Sequence, residues 1–145
     1  MTATAGNMGQ AIAYLVKHHA AEVWGGGDHP QPPLLPAPEW RCVCLVPVGS
    51  SAAKLESLRR LGAEVTVVTR ECWWQVISTR DCSQTPLGAD ADYRAGALPF
   101  VHPVCEDAVL AGNATLGASI AAQLPDADLV LVPFGGGGLS LGVAA

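Results

Sequence analysis

Residues 42–68 read CVCLVPVGSSAAKLESLRRLGAEVTVV, and this stretch decides the fold. Cys42-Val43-Cys44-Leu45-Val46 is a short unbroken apolar run of the kind that forms a buried strand. Ser51 to Leu61 continues at helical spacing, with Leu55, Leu58 and Leu61 on one face, and Gly62 is a stop signal for that helix. Glu64 to Val68 is a second strand, rich in β-branched residues. Strand, helix and strand in so short a span make a βαβ unit, which requires parallel strands. The expected fold class is therefore α/β.

Upstream, Met8, Ala11, Ile12, Leu15 and Val16 recur at helical spacing directly after Asn7, a good N-cap residue, so a helix is expected over about 8–19. From Gly25 to Pro38 the periodicity dissolves into three consecutive glycines and five prolines, the composition of a loop or insert. Downstream, a short helix is expected at Trp73 to Arg80 and a polar loop from Asp81 to Gly96, with Asp90 and Asp92 read as a solvated acidic pair. Residues 99–103 read as a strand ending in a turn. Asp107 to Leu124 reads as a helix with Leu116, Ile120 and Leu124 on one stripe. Asp128 to Phe134 is an apolar run of the sort that forms a central parallel strand covered on both faces. Four glycines follow it, and Leu139 to Ala145 begins another helix.

The chain has 145 residues, 50% of them apolar and 14% charged. An average globular domain carries roughly 25% charged residues, so this surface is poor in ions for a self-standing protein. The net charge of −5 and the lack of a Lys/Arg run argue against a nucleic-acid or anionic-membrane surface. No signal peptide or membrane-spanning stretch is legible, so a cytoplasmic location is expected. Five scattered cysteines suit a reducing compartment. Cys42-x-Cys44 lies in a strand with no second ligand pair, which favours buried thiols over a metal site, and no metal is expected.

Two segments carry candidate chemistry. Strand, Gly135-Gly136-Gly137-Gly138, helix is an arrangement that aims backbone N–H groups and the positive end of a helix dipole at an anion, typically a phosphate; taken alone, a flexible turn fits it equally well. A G-x-G-x-x-G pattern is not formed, because Ser140 and Leu141 occupy the closing positions, and no NTPase P-loop occurs. Thr4-Ala5-Gly6-Asn7 again places free N–H groups at a helix start, suited to a carboxylate, and the Asn7 amide either caps the helix or donates to a ligand.

Four blocks in this order carry a resemblance. Thr4-Ala5-Gly6-Asn7-Met8-Gly9-Gln10 is similar to an S-A-G-N-H-x-Q loop. Pro47 to Val65, with Lys54, Arg59 and Leu61-Gly62-Ala63-Glu64-Val65, is similar to a P-x-x-A-x-x-K…R-x-x-G-A-E-V segment. His102-Pro103 with Ala111-Gly112-Asn113-Ala114-Thr115 resembles H-P-F-D…A-G-Q-G-T, and Val132-Pro133-Phe134 with the four glycines and Leu139 resembles V-P-x-G-G-G-G-L. Trp73 to Ile77 is similar to a stretch in one branch of the same group. The sequence thus resembles the fold-type II pyridoxal-phosphate (PLP) enzymes, within them the threonine/serine dehydratase group.

The resemblance implies a parallel sheet in a three-layer αβα arrangement, present in part. It implies a small domain over 1–97, with an insert at about 24–41, and the start of a PLP-binding domain over 98–145. Gly135, Gly136, Gly137, Gly138 and Leu139 would hold the PLP phosphate, and Asn7 the 3′-hydroxyl of its ring. Thr4, Ala5, Gly6, Asn7 and Met8 would clamp the carboxylate of an amino-acid substrate. The implied reaction is a PLP-dependent ammonia-lyase reaction converting L-serine or L-threonine to a 2-oxo acid and ammonia, with a homodimer in the full-length protein. Serine racemases carry serine where Ala5 stands, which weighs against racemisation.

Departures are also plain. Met8 stands in place of histidine, and Cys105 to Asp107 blur the H-P-F-D segment. The family's Schiff-base lysine belongs to a segment upstream of the asparagine loop, and neither Lys17 nor Lys54 matches it, so no catalytic residue is assigned and the polypeptide is expected to be an inactive fragment. Two alternatives stay open: a non-catalytic PLP- or amino-acid-binding module, and a serine racemase or cysteine synthase-like activity on the same fold.

Overall fold

A computed structural model describes residues 1–4, 6–23 and 40–145, with side chains in the first helix described as far as His18. Most of the insert and Ala5 lie outside the described residues. The chain forms two units, Met1–Phe100 and Val101–Ala145.

The first unit is built on a parallel sheet of β1 (Thr2–Ala3), β2 (Val43–Pro47) and β3 (Glu64–Val68) in the order β1-β2-β3. Thr2 pairs with Cys44 and Ala3 with Leu45, while Val43 to Pro47 run opposite Glu64 to Val68. Helices α1 (Asn7–Val23), α2 (Ala52–Arg60) and α3 (Arg70–Thr79) surround the sheet. Strand period sorts the core into two sets. Val43 and Leu45 join Met1, Ala3, Val68 and Val76 on the α3 face. Cys42, Cys44 and Val46 join Ala13, Leu58 and Ala63 on the face covered by α1 and α2. Helix, sheet and helix layers follow, as expected for αβα. Each fully buried Val or Leu of β2 contributes roughly 1.5–3 kcal/mol relative to an exposed one.

The expected βαβ unit is present, and its helix ends as Gly62 requires. Gly62 has φ +83°, its N–H donates to the Arg59 carbonyl at 2.9 Å, and the Ala63 N–H donates to the Leu58 carbonyl at 3.1 Å. These are the two bonds of a Schellman turn, and the Leu58 and Ala63 side chains that accompany it share one core.

Several expectations are corrected. A first strand forms at Thr2–Ala3, where no strand is expected from the sequence. Helix α1 begins at Asn7 itself, so Asn7 is the first helical residue and not the cap. The segment 81–96 is ordered as a 3₁₀ turn, Pro86–Ala89, and a helical turn α4 (Ala91–Arg94) capped by the Asp90 carboxylate. Asp90 and Asp92 are not merely solvated: both accept hydrogen bonds from Arg41, which also meets Glu64. Arg41 therefore belongs to the folded unit, although composition places it at the end of the insert.

The second unit packs α5 (Asp107–Gln123) against α6 (Gly138–Ala144). The helices approach through glycines, since a Cβ on Gly142 would lie 2.3 Å from the Asn113 Cβ and one on Gly117 would lie 2.4 Å from the Val143 carbonyl oxygen. Residues 99–103 form no strand, and the turn runs over 103–105. Asp128 to Phe134 is likewise no strand. Leu129, Leu131 and Phe134 are 75%, 87% and 79% exposed. A strand needs a hydrogen-bonding neighbour, and among the described residues of this unit no other strand exists to pair with it. The stripe on α5 is also open: Ile120 and Leu124 line a shallow apolar groove of about 680 Å³ with Val130, Leu131 and Val143. Among the described residues no helix is long and apolar enough to cross a membrane.

Candidate functional site

The two predicted clusters fall in different units. In the first, Thr4 leaves β1 with its N–H bonded to the Leu45 carbonyl at 3.0 Å, so the loop before α1 starts from the sheet edge. The Thr4 hydroxyl then accepts the Gly6 N–H at 3.2 Å, a local turn that delivers the chain into α1. Asn7 is exposed and Met8 half-buried at the opening of that helix. The first-turn N–H groups have no intrahelical acceptor and carry the positive end of the dipole. Gly9 keeps α1 tight on the sheet: a Cβ there would sit 2.6 Å from the Thr4 methyl and 3.2 Å from Leu58 Cδ2. Ala5 lies outside the described residues.

In the second unit, Gly135, Gly136 and Gly137 lead into α6, which starts at Gly138 and includes Leu139. Gly137 has φ +89°, a left-handed conformation that favours glycine. A Cβ on Gly136 would lie 2.5 Å from Val104 Cγ2, and one on Gly138 would lie 3.2 Å from the Val104 Cα. Gly135 has no neighbour within 4 Å of such an atom. The segment thus offers backbone donors and no side chains on a close-packed support. That donor set fits a phosphate monoester. Asn113, half-buried on α5, donates from Nδ2 to the Gly138 carbonyl at 3.2 Å.

Neither lysine presents a free amine within these clusters. Lys17 Nζ donates to the Arg60 carbonyl at 3.0 Å, tying α1 to the last turn of α2, and Lys54 is exposed on α2. The Cys42 and Cys44 thiols are buried 3.8 Å apart. Among the described residues no group of three or more potential metal ligands occurs.

One side chain that sequence reasoning passed over stands out beside the glycine loop. His102 is buried, and its Nδ1 accepts the N–H groups of Val104 at 3.0 Å and Cys105 at 2.9 Å. The resemblance block that contains it was the available signal.

Residues 39–145 match the family described as pyridoxal-phosphate dependent enzyme. The L-threonine ammonia-lyase of Geobacter sulfurreducens is 32% identical over 145 residues, covering 99% of this chain and 29% of that protein. The L-threonine ammonia-lyase of Thermotoga maritima is 30% identical over 147 residues, with the same coverage of 99% and 29%. The chain therefore spans under a third of the length of these relatives. Among solved structures, a pyridoxal 5′-phosphate-dependent aspartate racemase superposes with a TM-score of 0.67 at 22% identity, covering 98% of this chain and 34% of that one, a likeness of fold alone. With a family match over most of its length and relatives at this identity, the chain belongs to the pyridoxal-phosphate dependent enzyme family.

Proposed function

We propose that this chain is part of a PLP-dependent ammonia-lyase acting on L-threonine or L-serine, releasing a 2-oxo acid and ammonia. The observation that carries the reading is the side-chain-free glycine loop packed on Pro103 and Val104 at the start of α6, in a family that depends on PLP. Likeness over nearly the whole chain to two L-threonine ammonia-lyases supports the reaction class. The first unit then corresponds to the small domain and the second to the start of the cofactor domain.

The backbone N–H groups of Gly135 to Leu139 hold the phosphate. Bound there, the cofactor supplies an electron sink for loss of the α-proton and the β-hydroxyl of an amino acid. The resemblance assigns the amide of Asn7, exposed at the first turn of α1, to the ring hydroxyl. The loop Thr4 to Met8 clamps the substrate carboxylate: with the Thr4 N–H on the Leu45 carbonyl and the Gly6 N–H on the Thr4 hydroxyl, its donors are the N–H groups of Asn7 and Met8 in the first turn of α1. Alanine at position 5 offers no second acid or base, which disfavours racemisation.

With Lys17 engaged by Arg60 and Lys54 on α2, the 145-residue polypeptide is expected to bind the cofactor without turnover. Titration with PLP should give saturable binding that pyridoxal, lacking the phosphate, does not match. The gene product that contains this chain should form 2-oxo acid and ammonia from L-threonine or L-serine. Absence of PLP from that product overturns the assignment.

A further inference from the structure

His102 has no part in the function outlined above, yet the residue is only 6% exposed, at the turn before α5. Its Nδ1 accepts from the N–H groups two and three residues on, Val104 and Cys105. An acceptor at Nδ1 puts the neutral ring's proton on Nε2. The pattern is that of an Asx turn, in which the side-chain oxygen of Asn or Asp does the same work. From the other side, the His102 N–H donates to Glu106 Oε1 at 3.3 Å, so the turn is held at both ends.

That turn is the surface on which the glycine loop rests. A Cβ on Gly136 would clash with Val104 Cγ2, and one on Gly138 would crowd the Val104 Cα at 3.2 Å and the Pro103 carbonyl oxygen at 3.3 Å. Across the loop, Asn113 holds the Gly138 carbonyl. The position of the Pro103–Val104 backbone therefore limits where Gly136 to Gly138 can lie. A ring unable to accept leaves two N–H groups of the turn without their partner and removes what sets that backbone.

We propose that His102 is a positioning residue for the glycine loop: its two accepted hydrogen bonds fix the 103–105 turn, and that turn fixes the direction of the N–H groups that open α6. The consequence for a phosphate-bearing cofactor rests on the function proposed above; the consequence for the loop rests on geometry alone.

The test compares the unaltered chain with His102→Ala, His102→Asn and His102→Gln. Asparagine places an acceptor oxygen near the position of Nδ1, whereas glutamine carries it one bond further out. Amide hydrogen exchange and NMR shifts should show Val104 and Cys105 losing protection in His102→Ala, with the Gly136, Gly138 and Leu139 resonances displaced. His102→Asn should restore both and His102→Gln should not. Titration with PLP, followed on the same amides, should be about tenfold weaker in His102→Ala and close to unaltered in His102→Asn. Glycine-loop amides unmoved in His102→Ala, or not rescued in His102→Asn while the turn is, overturn the inference. Should His102→Ala not fold, the Asn and Gln variants decide it by the same signals. An unaltered chain with no PLP affinity overturns the proposed function, and the exchange and shift data still judge the role of His102.

Discussion

Arg41 and Glu64 face each other through two parallel hydrogen bonds, Nε to Oε1 at 2.8 Å and Nη2 to Oε2 at 2.9 Å. The same guanidinium bonds Asp90 Oδ2 at 3.0 Å and the Asp92 carboxylate. One planar fork thus joins the residue ahead of β2 to the start of β3 and to the cap of α4. Replacing it with glutamine leaves three carboxylates close together without their cation. Because the group is partly solvated, the loss is modest for a network of this size. Arg41→Gln should lower Tm by a few degrees in a thermal melt at neutral pH and low salt, and added salt should narrow the gap.

The same cluster sets an acid limb. Arg41 holds the Glu64 carboxyl below its ordinary 4.5, and Arg41 together with the Tyr93 N–H holds Asp90 below its ordinary 3.8. A carboxylate whose folded value is depressed stabilises the fold when ionised, so its contribution is complete above those ordinary values and fades as pH falls through the depressed ones. Tm should therefore fall on acidification from about pH 4.5 downward. Arg41→Gln should flatten that slope without abolishing it. Asp81, held low by the Ser83 N–H and hydroxyl and by the Tyr93 hydroxyl, still titrates. Melts of both proteins across that range check the sign; equal slopes refute the cluster's part in it.

How much of this was legible in sequence depended on whether the signal was local. The run 42–68 carries strand alternation, a helical stripe and a glycine stop within itself, and the βαβ unit formed as read. Thr2–Ala3 is too short for any period and is a strand only because Cys44 and Leu45 lie beside it. Asp128 to Phe134 has the composition of a central strand, but a strand is a relation between segments and the partner is not among the described residues of its unit. Arg41 and Asp90 are 49 positions apart, and no spacing rule links them. Of the site, the glycine loop was visible as composition. The support beneath it was not, because a histidine in an Asx-like role is not a turn signal.

The glycines of the second unit make opposite predictions from one substitution. Gly112 is exposed within α5, with no atom within 4 Å of the place a Cβ would take, so Gly112→Ala should stabilise the helix by roughly 0.5–1 kcal/mol. Gly142→Ala brings a Cβ to 2.3 Å from the Asn113 Cβ and 3.0 Å from the Leu110 carbonyl oxygen, atoms that cannot swing aside. It should destabilise by about 1–3 kcal/mol. Denaturant titration separates them, and a stabilising Gly142→Ala rejects the close packing of α5 on α6.

The thiols should react in an order set by burial. Cys105 is exposed, Cys72 half-buried, and Cys42, Cys44 and Cys82 are buried. Burial, with the nearby Asp81 charge, pushes the Cys82 thiol up to about 11, so little thiolate is present near neutrality. Cys42 and Cys44 are free thiols whose sulfurs lie 3.8 Å apart in the core, within hydrogen-bond reach of each other. At pH 8 a disulfide reagent should label Cys105 first, and Cys105→Ser should remove the fast phase. Cys42, Cys44 and Cys82 should become reactive only as denaturant opens the fold. Mass mapping of the labelled peptides reads the order, and early labelling of Cys82 refutes its burial beneath the α3 face of the sheet.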